Sequence, residues 1–145
     1  MSESLPPSVQ KVLDRFRALA RDEKMQALVS HARKLEPVPE RLLGADPAAF
    51  DVPECQTRVA IHPTSHDGLL HFYADVDVRQ SPTVAAFLSI LFGAINEQPA
   101  STTLAIPDDF VRQVMSGIGL AAREAGLDGI LARVRRYAAQ AAQAA

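Results

Sequence analysis

The sequence predicts an α+β fold: a small antiparallel sheet of about three strands, packed by α-helices that come before and after it. Two changes of period carry this expectation. Up to residue 35, and again beyond residue 81, apolar residues recur every three or four positions, the spacing of helices with one buried face. From Thr57 to Val76 they alternate one by one, the spacing of strands. Helical runs on both sides of a strand pair fit a layer of helices on a small sheet.

In chain order, Pro6-Pro7 punctuates the start and Ser8 is placed to cap a first helix, whose apolar face is Val9, Val12, Leu13, Phe16, Leu19 and Ala20. Asp22 is placed to cap a second, with Met25, Leu28, Val29, Ala32 and Leu35 on one side. Residues 36–55 have no period, apart from a short turn signal near Pro47–Phe50. Pro37, Pro39, Pro47 and Pro53 interrupt them and Gly44 sits between, which predicts a long irregular loop delivering the chain to Cys55. In the first strand Thr57, Val59 and Ile61 share a face. In the second Leu70, Phe72, Ala74 and Val76 do. The segment PTSHDG between them, ending in Asp67-Gly68, reads as a slightly long hairpin loop. Ser81-Pro82 opens a helix that is apolar nearly all round and therefore central. Residues 102–106, TTLAI, read as the third strand. Pro107, Asp108 and Asp109 open a further helix with Phe110, Val111, Val114, Met115 and Ile118 inward, weakened at its end by Gly117 and Gly119. The last helix buries Leu127, Ile130, Leu131, Val134 and Tyr137. It turns Arg133, Arg135 and Arg136 outward as a solvated basic side, and its alanine–glutamine tail reads as a fraying extension.

A chain of 145 residues fits one domain, residues 1–145, around a single core. The net charge of −2 gives no electrostatic footprint for nucleic acid or an anionic membrane, so neither is expected as a partner. No apolar run approaches the roughly 20 residues of a transmembrane helix. The N-terminus has no secretory pattern, and a single cysteine makes no internal disulfide. Together these predict a cytoplasmic protein. His62, His66 and His71 cluster around one turn but lack metal-ligand spacing, so no metal site is expected.

Cys55 carries the functional question. Strand alternation extended back from Thr57 puts it on the apolar side with Val59 and Ile61, where a free cysteine is often simply a small buried hydrophobe. A loop centred between Ser65 and His66 would set position 55 opposite Val76, with Asp75 and Asp77 at the same end of the hairpin and Glu54 alongside. Burial and nearby negative charge both disfavour a thiolate, which predicts a restrained thiol. The acids read equally well as solvated residues at a strand end. A cysteine-dependent hydrolase or reductase would need a histidine base in reach. By this register His62 and His71 lie toward the far end, and there is no CxxC. A non-catalytic interaction domain with an inert buried cysteine stays open.

VPECQTRV, a hairpin, ADVD, an apolar helix, AAREAGL and a basic last helix, in that order from Phe16 to Tyr137, resemble the SufE-type sulfur acceptors. Cys55-Gln56-Thr57 matches the family's Cys-Gln-Ser, Asp75-x-Asp77 its Asp-Ser-Asp, and Arg123 with Gly126-Leu127 its Ser-Arg-x-x-Gly-Leu. The resemblance implies a SufE/IscU-like α+β fold and a mechanism. A SufS-like cysteine desulfurase holds sulfur as a persulfide. Cys55 takes that sulfur and stimulates turnover, then passes it to a SUF-type iron–sulfur scaffold complex. Pyridoxal phosphate belongs to the desulfurase, and no cofactor is implied on this chain, which would act as a monomer or homodimer. Gln56, Asp77 and Arg123 match positions tied to the resting cysteine loop or the partner-facing surface. Four positions depart from the pattern: Glu54 stands where the family has glycine, Thr57 where it has serine, Val76 between the two aspartates, and Ala60 where it has tryptophan. Glycine reaches positive φ freely and glutamate does not, so Glu54 changes what the cysteine loop can adopt.

Overall fold

A computed structural model describes residues 5–43, 58–115 and 121–144. Helix α1 (Pro7–Ala18) starts on Pro7, whose fixed φ suits a first helical position, and buries Val9, Leu13 and Phe16. Ser8 does not cap it. Its hydroxyl instead donates to the Ala94 carbonyl at 2.6 Å, tying α1 to the central helix. Helix α2 (Arg21–Arg33) begins before Asp22, and its first turn is held by the Ala20 N–H donating to the Glu23 carboxylate at 2.9 Å. The expected apolar stripe is rotated. Lys24, Leu28 and Ala32 face inward, while Met25 and Val29 are 46% and 54% exposed. Lys24 supplies a long aliphatic stem to the inward face, which a hydrophobic count does not register. In the described part of the irregular segment, residues 36–43, lies a short helix, α3 (Glu40–Leu43). The turn expected near Pro47–Phe50 lies outside the described residues.

Strands β1 (Ala60–His66) and β2 (Leu69–Asp75) pair antiparallel, with Ile61 opposite Ala74, Pro63 opposite Phe72 and Ser65 opposite Leu70. The turn is only Asp67-Gly68, at φ 52° and 79°. Two residues in the left-handed region match the twist of the strands they join. The expected register is therefore corrected by four positions, since a loop centred on Ser65–His66 would have set Ile61 against Leu70. Pro63 lies in the strand rather than the loop, where the outer side of β1 needs no N–H from it.

Helix α4 (Pro82–Ile95) is the centre of the core and buries ten of its fourteen residues. The expected third strand is a helix, α5 (Ala100–Leu104), with Pro99 at its N-cap. The free edge of β2 is satisfied without a further strand. The Asn96 side chain accepts from the Phe72 N–H at 2.7 Å and donates to the Phe72 carbonyl at 3.1 Å. One residue pair beyond, Leu70 N–H donates to the Gln98 carbonyl and Glu97 N–H to the Leu70 carbonyl. Among the described residues the sheet thus has two strands.

Helix α6 (Phe110–Met115) buries Phe110, Val111, Val114 and Met115 as expected, while Ile118, Gly117 and Gly119 lie outside the described residues. Helix α7 (Ala121–Ala144) buries Leu127, Ile130, Leu131 and Val134 and leaves Tyr137 partly exposed. Its tail is not a frayed end, because Ala138 is fully buried and Ala141 packs on the core. Arg135 is not a solvated residue of the basic side either. It pairs with Asp108 at 2.9 Å and donates to the Ile106 carbonyl, joining α7 to the segment before α6. Among the described residues no helix is long and apolar enough to cross a membrane.

Candidate functional site

The thiol segment enters the described fold at the open end of the hairpin. Cys55, Gln56 and Glu54 lie outside the described residues. Arg58, three residues after Cys55, is exposed, and Val59 is buried at 1% exposure. Val59 therefore fixes where the chain joins the core, just before β1 begins at Ala60.

Asp75 stands opposite Ala60 at this same end and is exposed. Asp75 and the start of β1 thus share one end of the hairpin, through a register different from the expected one, while Cys55 and Glu54, expected beside the acids, lie outside the described residues. The pairing of position 55 with Val76 does not follow from the observed register. Asp77 has a local task. Its Oδ1 accepts from the Arg79 N–H at 3.0 Å and the Gln80 N–H at 3.2 Å, and its carbonyl accepts from the Ser81 N–H at 2.9 Å. These bonds shape the turn that feeds α4, as an aspartate side chain commonly does for the backbone just after it. Arg123 lies in the first turn of α7, and its side chain is outside the described set. His62, placed toward the far end by the expected register, is instead two residues into β1 from the thiol end, opposite Tyr73.

The fold displaces the titration of His71 and His31, as burial also does for Lys24, which no sequence pattern signals. Burial opposes charge on His71, but hydrogen bonds to Glu36 and Glu97, with the charges of both, outweigh it and hold its pKa above the ordinary histidine value. Burial, then the positive charges of Arg15 and Lys34, push His31 below that value. His31 helps line a cavity of about 370 Å³ between the end of α2 and α4, with Leu35, Glu36, Phe92 and Asn96 among its other walls. No short-range spacing joins residues 36, 71 and 97, so only the folded chain reveals them as neighbours. Among the described residues, no three histidine, cysteine or acidic side chains are placed to hold a metal ion.

Helices packed on one hairpin, which in the sequence follows directly on the segment with the chain's single cysteine, define a small α+β protein. The chain belongs to the SufE family: the model of the SufE Fe-S metabolism associated domain matches residues 10–138. It is similar to uncharacterized SufE-like proteins from two strains of Mycobacterium tuberculosis, at 35% identity over 141 residues, covering 92% of each chain. Among solved structures it resembles the solution structure of a hypothetical protein from Thermus thermophilus, with TM-score 0.78 and 25% identity over 97% of this chain and 99% of the other. The family places the protein in iron–sulfur metabolism.

Proposed function

We propose that the protein is a sulfur carrier. A SufS-like cysteine desulfurase, which holds the pyridoxal phosphate, loads sulfur on Cys55, and Cys55 delivers it to a SUF-type iron–sulfur scaffold complex. The observation that carries this reading is the family match across residues 10–138, which includes Cys55-Gln56-Thr57, the segment that resembles the family's Cys-Gln-Ser. The reaction needs no cofactor on this chain. The Cys55 thiolate attacks the outer sulfur of the desulfurase persulfide. A bond forms from Cys55 Sγ to that sulfur, the old sulfur–sulfur bond breaks, and the desulfurase cysteine leaves as a thiolate. One thiolate is consumed and one released, so there is no net oxidation.

The fold supports this in two ways. Val59 anchors the chain four residues after Cys55, and Asp77 shapes the turn that feeds α4 through bonds within its own segment. By the family pattern Gln56 and Arg123 serve the resting cysteine segment or the desulfurase-facing surface. A cytoplasmic setting keeps the thiol reduced between cycles. The test is desulfurase turnover with the parent and with Cys55→Ser. The parent raises turnover severalfold and the variant does not. Equal stimulation by both would favour an interaction domain with an inert cysteine.

A further inference from the structure

A cluster outside the thiol segment is unused by sulfur transfer. His71 lies on the face of β2 turned away from the core, between two carboxylates. Its Nδ1 is 2.6 Å from Glu97 Oε2 and its Nε2 is 2.7 Å from Glu36 Oε1. A neutral imidazole carries one N–H and one lone pair, so it donates to only one carboxylate. Acceptors on both nitrogens require both to be protonated. The cluster also spans three parts of the chain: Glu36 follows α2, His71 is on β2, and Glu97 follows α4.

We propose that His71 is a pH-operated strap: its doubly protonated ring ties the stretch that begins at Glu36 to the hairpin, and loss of one proton releases that stretch. Glu36 is the arm that lets go. Glu97 is fixed a second time, because its N–H donates to the Leu70 carbonyl at 2.8 Å and its backbone sits at φ 60°. Glu36 is followed by Pro37 and Pro39, which have no N–H to hold the backbone in place. The groups around the ring are consistent with this. Glu36 and Glu97 supply the charge that acts on it. Tyr73, on its own strand, lies 4.7 Å away between ring centres. From β1, Thr64 stands opposite and its hydroxyl donates to the His71 carbonyl, while His66 is engaged by Asp67 at 3.1 Å. The raised pKa puts the release on the alkaline side of the ordinary histidine range. The stretch concerned is Glu36 to Leu43, and the strap is argued from the folded chain alone, independently of whether Cys55 carries sulfur.

The test is an NMR titration of the full chain, following the His71 ring nitrogens and the exchange protection of the Leu42 amide in α3, which donates to the carbonyl of Pro39 just before that helix. At pH 6 both ring nitrogens are protonated, and His71 titrates above the ordinary histidine value. Leu42 protection, corrected for intrinsic exchange, falls about two- to fivefold through that titration, the scale of a half-exposed ion pair. In Glu36→Gln, a change at an exposed side chain, protection is already low and does not change with His71, and the histidine titrates lower. A His71 that titrates at or below the ordinary value would overturn the proposal. So would an unchanged loss of Leu42 protection in Glu36→Gln. Neither readout involves sulfur, so failure of the carrier reading leaves this result standing.

Discussion

The hairpin turns two unlike faces to the rest of the protein. Ile61, Leu70, Phe72 and Ala74 share one face and are buried in the common core beside α4. Thr64, His71 and Tyr73 share the other and are only partly covered. On the first face, contact with apolar neighbours decides everything, and the pH of the solution hardly matters. On the second, where Ala60 and His62 at the thiol end are also buried, His71 is held by carboxylates from distant parts of the chain. One pair of strands therefore provides both a rigid anchor and a face that responds to protons. The segment bearing Cys55 joins this hairpin, entering through Val59.

The contrast makes graded predictions. The largest effect belongs to the core face: Phe72→Ala removes a fully buried ring that stacks on Phe92 at 6.0 Å, and lowers stability by about 3–5 kcal/mol at any pH in chemical denaturation. At the seam between the faces, Asn96→Ala leaves the Phe72 N–H and carbonyl without their side-chain partner. It costs about 2 kcal/mol and speeds amide exchange at Phe72. At the turn, Gly68→Val forces a β-branched residue to φ 79° and costs about 1–2 kcal/mol by thermal melting, with the core-face contacts intact. The smallest effect is on the polar face. His71→Gln costs at most about 1 kcal/mol, and only on the acidic side. Because the folded pKa is raised, the stabilisation is complete below the ordinary histidine value, near 6.5, and is lost as pH climbs through the folded value. Parent and variant should therefore differ at pH 6 and converge at pH 9. A gap that widened with pH would break the distinction between the two faces.

How far the sequence could be read follows the same divide. Periodicity is a local signal, and it located α1, α4, α6, the core of α7 and both strands, because each buries a regular set of apolar residues. It failed where a distant partner decides. Residues 102–106 look like a strand, but the edge they would have paired with is already met by Asn96 and Gln98, and they coil into α5. A loop that starts at Pro63 sets the hairpin register four positions off, because Asp67-Gly68 alone makes the turn. Lys24 hid the true inner face of α2 behind its charge, and Arg135 reads as solvated until Asp108 is seen beside it. At the candidate site, the placing of Asp75 at the end of the hairpin that the thiol segment joins was legible. The bonds that hold Asp77 were not, and neither was the Glu36–His71–Glu97 cluster, whose members are joined only by the fold.

The central claim is that Cys55 carries sulfur. Its most direct test is the mass of the intact chain after incubation with a SufS-like desulfurase, pyridoxal phosphate and cysteine, followed by trapping and peptide mapping. The account predicts the added mass of one sulfur atom, lost on reduction, on the peptide containing Cys55. A chain that stays unmodified beside a desulfurase that has loaded its own cysteine would contradict it.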